Sequence, residues 1–126
     1  MGIRNQRGKV NYHQGHWLEK VACLWLMLKG YSPLKLNFNP HQHGAGEIDL
    51  IMKKGKTIVF VEVKKRSSLT LAAESVDLQQ QQRIICGAEV FFKRYPQLRK
   101  YDRRYDILWF VPKHLPIHIK NAFWVI

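Results

Sequence analysis

Three residues in the middle of the chain, Asp49, Glu62 and Lys64, have types and spacing that suit metal-assisted hydrolysis of a phosphodiester. Glu62 and Lys64 lie two residues apart in an apolar segment that predicts a β-strand over residues 57–65, so both side chains project from one face. Two carboxylates are hard oxygen ligands for Mg²⁺ or Mn²⁺. A lysine beside them can position the attacking water or balance charge as the phosphate reacts. We therefore take these three residues as the candidate catalytic set.

The distance between Asp49 and Glu62 depends on the turn that joins their strands. A turn centred between Gly55 and Lys56 pairs residues whose numbers sum to 111, which places Asp49 opposite Glu62. Directly opposed side chains have β-carbons about 5 Å apart, close enough for two carboxylates to contact one cation. The carbonyl of Val63 would supply a third oxygen ligand. A turn one residue longer or shorter would place Asp49 on the other face.

The same residues are also compatible with a purely structural arrangement. A Glu-x-Lys sequence is common in strands, and Asp49 with Lys64 would form an ordinary cross-strand ion pair. Ile58 and Phe60 are predicted to share the face of Glu62. A strand this apolar holds charges only if they are paired, bound to a metal or open to a cleft. Both interpretations remain open at this point.

Glu19 is predicted to lie on a covered flank of the first helix, because its helical neighbours, among them Ala22 and Leu26, are apolar. A buried carboxylate without a partner is costly, so a positive group should meet it. The functional options are a metal ion, held directly or through water, and Lys64. The structural option is a salt bridge with Lys20 or with an arginine of the N-terminal arm.

Gln81 shares a stripe of the second predicted helix with Ile85, Ala88 and Phe92. From such a core-facing position its side-chain amide can hydrogen-bond a phosphate or a water at the edge of the sheet. Glu19 and Gln81 therefore join the candidate catalytic residues.

The chain carries a large positive charge. It contains 21 Lys and Arg against 9 Asp and Glu, for a formal net charge of +12 and a pI near 10.0. Like charges repel in the compact state, so this excess indicates a polyanionic partner rather than a need of the fold. A nucleic acid, DNA in particular, is the first candidate, and an anionic membrane surface is the second. The expected nucleic-acid contacts are Lys65, Arg66, Gln80 and Arg104.

Several features of the sequence argue against a membrane and for the cytoplasm. The longest strongly apolar run, residues 21–28, is far shorter than the roughly 20 residues that span a bilayer. The first residues contain no apolar signal region. Cys23 and Cys86 fit neither a disulfide framework nor a zinc site, and both are predicted to be small core residues in a reducing compartment.

The hydrophobic periodicity predicts an α/β protein in the order α-β-β-β-α-β-β, with helices packed on a mixed central sheet. The first helix is apolar nearly all round and is expected to be largely covered, with Asn11 as its N-terminal cap. Residues 1–10 are predicted to form a basic arm, and residues 11–126 a single domain. The predicted helices cover residues 11–29 and 75–95, and the predicted strands cover residues 34–38, 47–53, 57–65, 105–111 and 117–126.

Several separated blocks of the sequence form a recognisable pattern when they are taken in order. They are Gly15 with Glu19 and Ala22, Gly46-Glu47-Ile48-Asp49-Leu50-Ile51, Val59-Phe60-Val61-Glu62-Val63-Lys64-Lys65-Arg66, Arg104-Tyr105-Asp106 and Asn121-Ala122-Phe123. Over residues 15–124 this pattern resembles the YraN-like family of small bacterial proteins. That family is part of the restriction-endonuclease-like PD-(D/E)xK superfamily and is similar in core to archaeal Holliday junction resolvases.

The resemblance implies a restriction-endonuclease-like three-layer core, a mixed central sheet flanked by helices, and nucleic-acid binding. It also implies that Asp49, Glu62 and Lys64 are the site positions of the superfamily. Two residues depart from the family pattern. Leu18 replaces a customary Gly, and Gln80 stands where a Lys is common, which removes a positive charge near the phosphate.

Two functions are compatible with these observations. The first is a nucleic-acid-binding, endonuclease-like enzyme that uses Mg²⁺ or Mn²⁺ and acts on DNA. The second is a non-catalytic nucleic-acid-binding module that keeps the nuclease fold. The intact set of Asp49, Glu62 and Lys64 favours the first, and Gln80 favours the second. A resolvase-like role would require a homodimer, for which the sequence predicts no evident surface.

Overall fold

The structure, a computed structural model, describes residues 16–69 and 76–124. The predicted arm over residues 1–10, the Asn11 cap and the last two residues of the predicted C-terminal strand lie outside the described residues. Helix α1 covers residues 16–28, and helix α2 covers Leu78–Arg94, followed by a 3-10 turn over Pro96–Leu98. The strands are β1 (Ser32–Phe38), β2 (Ile48–Lys54), β3 (Thr57–Lys65), β4 (Asp102–Phe110) and β5 (Ile117–Phe123).

The five strands form one mixed sheet in the order β1-β2-β3-β4-β5. β3 and β4 run parallel, whereas the other neighbouring strands pair antiparallel. A parallel pair needs a crossover connection, and α2 supplies it between β3 and β4. The predicted order of elements, α-β-β-β-α-β-β, is therefore confirmed.

The ends of the elements differ from the prediction at two places that matter. β4 begins at Asp102 rather than at Tyr105, because Asp102 already pairs with Thr57 in the parallel ladder. α2 begins at Leu78, later than the predicted start at residue 75. The cause is Asp77, whose side chain accepts a hydrogen bond from the backbone N–H of Gln80 at 2.8 Å and so caps the helix.

β3 is buried on both faces and separates two hydrophobic clusters. Ile58 and Phe60 face α2, where the ring of Phe60 meets that of Phe91 edge to face at 5.9 Å. Val59 belongs with Leu26 of α1 to the second cluster, on the other face. A strand that is apolar on both faces needs a layer of structure packed against each face of the sheet. The result is a three-layer architecture of helix, sheet and helix, as predicted.

Burial departs from the prediction on both helices. α1 packs Ala22 and Leu26 against the sheet, but a single contacting surface covers only one side of a helix. The exposed apolar side chains of α1 include Trp17 (65%), Leu24 (62%) and Leu28 (85%), so the prediction that this helix is largely covered is wrong. Cys86 of α2 is exposed, which also contradicts its predicted core position. No helix in the described part of the chain is long and apolar enough to cross a membrane.

A buried charge cluster ties β4 to β5. Asp106 is fully buried and accepts hydrogen bonds from Nε and Nη2 of Arg104, at 2.8 and 2.7 Å, and from the backbone N–H of Asn121, at 2.9 Å. Nε2 of His118 lies 2.7 Å from the same carboxylate, and Arg104 also donates to the hydroxyl of Tyr31 at 2.8 Å. Burial raises the pKa of Asp106, but the hydrogen bonds from His118 and Arg104 outweigh it and hold the pKa below its usual range.

Asp106→Asn should lower the free energy of unfolding by on the order of 3 kcal/mol, because Arg104 loses its carboxylate partner in a partly buried place. Urea unfolding at neutral pH measures the loss. Asp102→Asn is a matched control on the same strand, where an exposed carboxylate should contribute less than about 0.5 kcal/mol. Since the pKa of Asp106 is lowered on folding, its contribution is complete at neutral pH and disappears as the pH falls below the usual carboxyl range. Equal unfolding midpoints for the two variants would contradict this account of the cluster.

Candidate active site

The hairpin of β2 and β3 has the predicted register. The described pairs, beginning with Leu50 and Val61, all sum to 111, and the same register places Asp49 opposite Glu62. Gly55 in the turn has a φ of 59°, a conformation that glycine adopts without strain. Asp49 and Glu62 therefore lie side by side, at the end of the hairpin farthest from the turn.

Each member of the predicted catalytic set has a defined partner. Oδ2 of Asp49 accepts a hydrogen bond from the backbone N–H of Val63 at 2.7 Å. Nζ of Lys64 lies 3.6 Å from Oε1 of Glu62. The alternative ion pair between Asp49 and Lys64 is not among the ion pairs of the described residues. The ammonium of Lys64 thus stands beside the carboxylates without neutralising Asp49.

Among the described residues, the carboxylates of the site outnumber the lysine that pairs with them. Burial, followed by the charge of Asp49 and a hydrogen bond with it, raises the pKa of Glu62 well above its usual range, and Lys64 acts in the opposite direction. The carboxylate of Glu19, on α1, lies near those of Asp49 and Glu62. Burial and the neighbouring Asp49 raise the pKa of Glu19 strongly, and Glu47 adds to the effect. In the described part of the chain, Oε2 of Glu19 is buried and has no hydrogen-bond partner.

This set of donors fits a divalent cation. Mg²⁺ usually takes one or two protein carboxylates and keeps several of its waters. Asp49 and Glu62 supply two carboxylates, and Oε2 of Glu19, which has no hydrogen-bond partner among the described residues, can add a further contact, directly or through water. No three His, Cys, Asp or Glu side chains converge into a complete ligand set within residues 16–69 and 76–124. Carboxylate oxygens are hard ligands, which suit a partly hydrated Mg²⁺ or Mn²⁺.

A cavity of about 400 Å³ opens beside Glu62, between the first turns of α2 and the loop that precedes β2. The loop is fastened to the helix by a hydrogen bond of 2.8 Å from the N–H of Gly46 to the carbonyl of Arg83. Gly87 permits this approach, since a β-carbon at its position would lie 2.6 Å from the carbonyl oxygen of Gly46. The polar side chains that line the cavity include Glu47, Glu62, Asp77, Gln80 and Arg83.

Of the two glutamines predicted to act near the site, the structure brings Gln80 rather than Gln81 next to Glu62. Gln80 lines the cavity. Nε2 of Gln81 instead donates to the carbonyl of Val76 at 2.7 Å, so its side-chain amide is engaged within the chain. The catalytic role predicted for Gln81 gains no support from this contact.

The predicted nucleic-acid contacts also differ in their surroundings. Lys65 is exposed at the end of β3. Arg66 donates to the carbonyl of Lys65 at 2.8 Å and stacks over the ring of Trp109 at 4.9 Å. Arg104 belongs to the buried cluster around Asp106, where its guanidinium is occupied by the protein. Its predicted contact with nucleic acid is therefore not supported by its position.

Two cavity residues, Glu47 and Arg83, were missed by reasoning from the sequence. Glu47 directly precedes β2 and adds negative charge near Glu19. Arg83 follows Gln80 by three residues on α2, and residues three apart lie on the same side of a helix. That spacing is the signal that identifies Arg83 once Gln80 is placed beside Glu62.

Comparison with known sequences assigns the chain to a family. The model of Uncharacterised protein family UPF0102 matches residues 18–110. The chain belongs to this family. One UPF0102 relative, from Paramagnetospirillum magneticum, is 40% identical over 119 residues, which cover 94% of this chain and 87% of the relative. Another, from Methylorubrum extorquens, is 38% identical over 117 residues, with 93% and 89% covered. The family resemblance predicted from the sequence is thereby confirmed.

Among solved structures, this UPF0102 chain is similar to Archaeoglobus fulgidus Hjc, a Holliday junction resolvase from an archaeal hyperthermophile. The TM-score is 0.55, with 81% of this chain and 72% of the resolvase covered. At 13% sequence identity the likeness concerns the fold. It confirms the predicted restriction-endonuclease-like fold, with a mixed sheet flanked by helices.

Proposed function

We propose that this UPF0102 protein binds DNA and hydrolyses its phosphodiester bonds with the help of Mg²⁺ or Mn²⁺, acting in the cytoplasm. The observation that carries the proposal is the pair formed by Asp49 and Glu62 at the end of the hairpin. Lys64 stands 3.6 Å from Glu62, and within the described residues the buried Oε2 of Glu19 has no hydrogen-bond partner. Ionised carboxylates that lie close together with little positive charge nearby lower the stability of the fold unless a cation binds them.

Charge and fold support DNA as the substrate class. A formal charge of +12 attracts a polyanion, and the lysines at the end of β3 adjoin the carboxylates. The fold that this chain shares with a Holliday junction resolvase adds an argument by analogy for DNA, and for branched DNA within that class. A resolvase-like reaction would also require two copies of the chain.

Each residue of the site has a task in this proposal. Asp49 and Glu62 would hold the metal, and the N–H of Val63 keeps the Asp49 carboxylate oriented, with the Val63 carbonyl as a further oxygen ligand. When bound, the metal would polarise a water and neutralise charge on the phosphate. Lys64 holds a positive charge where the phosphate gains negative charge. The burial of Glu62 limits competition from bulk water, which strengthens these electrostatic effects.

A non-catalytic nucleic-acid-binding module is the second candidate function. It is favoured by the neutral Gln80 in the cavity, where a lysine would add positive charge near the phosphate. This candidate keeps the fold and the basic surface, and it gives the carboxylates only a structural role. It predicts binding of DNA in the absence of any metal-dependent cleavage.

Labelled duplex, single-stranded and four-way-junction DNA, each incubated with the purified protein and either Mg²⁺ or EDTA, distinguish the two candidates. The proposal predicts shortened products with Mg²⁺ and none with EDTA, and the preferred substrate among the three identifies the DNA structure. Binding of all three substrates without products at any Mg²⁺ concentration would favour the non-catalytic module. Light scattering on the same preparation reports whether the active species is a homodimer.

A further inference from the structure

The arginines of the described residues are nearly all occupied by the protein itself. Their guanidiniums bind carboxylates or backbone carbonyls. The occupied residues are Arg66, Arg94, Arg99, Arg103 and Arg104. Arg83 is the exception, since its guanidinium has no ion pair or hydrogen bond within residues 16–69 and 76–124. A cation that the fold does not use is available for a ligand.

Arg83 lies where an anionic ligand of the site would pass. It lines the cavity with Glu62 and Gln80, on the α2 side of the sheet. Its backbone is fixed, because its carbonyl accepts the hydrogen bond from Gly46 at 2.8 Å. The close packing of Gly87 on Gly46 holds the helix and the loop at this distance. The base of the side chain is therefore positioned by the fold at the wall of the cavity, and Arg83 is exposed to solvent.

We propose that Arg83 binds a backbone phosphate of the nucleic-acid strand, adjacent to the phosphate that occupies the site of Asp49 and Glu62. The inference rests on the proposed function and adds a second phosphate-binding position to it. A guanidinium offers several N–H donors in a planar fork that matches two phosphate oxygens at once. The neutral amide of Gln80, one turn earlier on α2, offers two further donors on the same side of the helix.

The charges around the cavity explain why an arginine is needed there. Glu47 and Asp77 both line it and would repel a phosphate. Asp77 is committed to capping α2, where its side chain accepts the N–H of Gln80. Arg83 is the only cationic side chain among the described residues that line the cavity. Arg83 is thus the residue that makes this side of the site attractive to a polyanion.

Arg83→Gln tests the inference through the salt dependence of DNA binding. Binding of a short labelled DNA is measured by fluorescence anisotropy at increasing KCl, with Ca²⁺ in place of Mg²⁺ as a cation with the same oxygen ligands. Loss of one phosphate contact should reduce the slope of log K against log salt by about 0.9. This corresponds to an affinity lower by about eightfold near 0.1 M salt. Arg83→Lys keeps the charge and should restore most of the slope.

Lys93→Gln is the matched control, because Lys93 is exposed in the last turn of the same helix. The substitution removes one positive charge, as Arg83→Gln does. It should leave the slope unchanged. A wild-type slope in Arg83→Gln, or an equal reduction in Lys93→Gln, would overturn the assignment of Arg83. Either result leaves the proposed function standing, whereas a wild-type protein that binds no DNA at all would remove the proposed function itself. Thermal melting of each variant shows whether it is folded.

Discussion

Asp49→Asn should reduce DNA cleavage by a factor on the order of 10²–10³, the size of effect seen when one preorganised polar group is removed from a catalytic site. The substitution keeps the size of the side chain, and its amide oxygen can still accept the hydrogen bond from Val63. It removes one hard anionic ligand of the metal. DNA binding should persist or become tighter, since a charge that repels the phosphate is lost. Gel-based cleavage and anisotropy on one preparation measure both quantities.

Asp102→Asn is the control for this experiment. It makes the same chemical change at an exposed position, close to the hairpin turn and so at the other end of β3 from Glu62. Cleavage by the control should equal that of the wild type. If Asp49 has only a structural role, its substitution will lower thermal stability modestly and leave cleavage nearly intact. Undiminished cleavage by Asp49→Asn would remove this residue from the mechanism.

DNA binding should weaken on the order of a thousandfold between about 50 and 200 mM salt, if six or more phosphates are contacted. The reason is the release of counterions from each neutralised phosphate. Five of the described arginines are engaged within the protein, so we expect Arg83 and lysines beside the site, such as Lys65, to contribute to these contacts. A titration with KCl at constant protein and labelled DNA gives the slope. An affinity that does not change with salt would point to a protein or a small molecule as the natural partner.

The sequence predicts those parts of the fold in which a local residue pattern is compatible with a single arrangement. β3 is β-branched and apolar on both faces, which requires a helix layer on each side of the sheet. The relation of Asp49 to Glu62 followed from the two-residue period of strands and the position of Gly55 in the turn. One residue more or less in that turn would move the Asp49 side chain to the other face of the sheet. The length of the turn therefore determines whether the carboxylates of Asp49 and Glu62 meet.

Other features depend on tertiary contacts that a pattern does not contain. The sequence shows that Trp17, Leu24 and Leu28 share a stripe of α1, but not which stripe meets the sheet. Gln80 and Gln81 are adjacent, and a rotation of about 100° per residue around the helix decides which of them faces the cavity.

The position of Arg104 also depends on tertiary contacts that its local sequence does not show. It lies in a basic run that resembles a solvated, DNA-binding surface. Asp106, two residues along the same strand, draws it into the buried cluster instead. The i, i+2 spacing that places both side chains on one face of β4 was available in the sequence. What the sequence did not contain was the proximity of His118, Asn121 and Tyr31, which makes the cluster complete.

Binding of a divalent cation by Asp49 and Glu62 can be tested without knowing the DNA substrate. Mn²⁺ is added at substoichiometric amounts to ¹⁵N-labelled protein, and the broadening of backbone amide signals is followed by NMR, which detects weak binding and locates it. If these carboxylates bind the cation, the signals of Asp49, Glu62 and Val63 should broaden first, and Asp49→Asn should remove this selectivity. Broadening that is absent from these residues, or unchanged by the substitution, would contradict cation binding by these carboxylates.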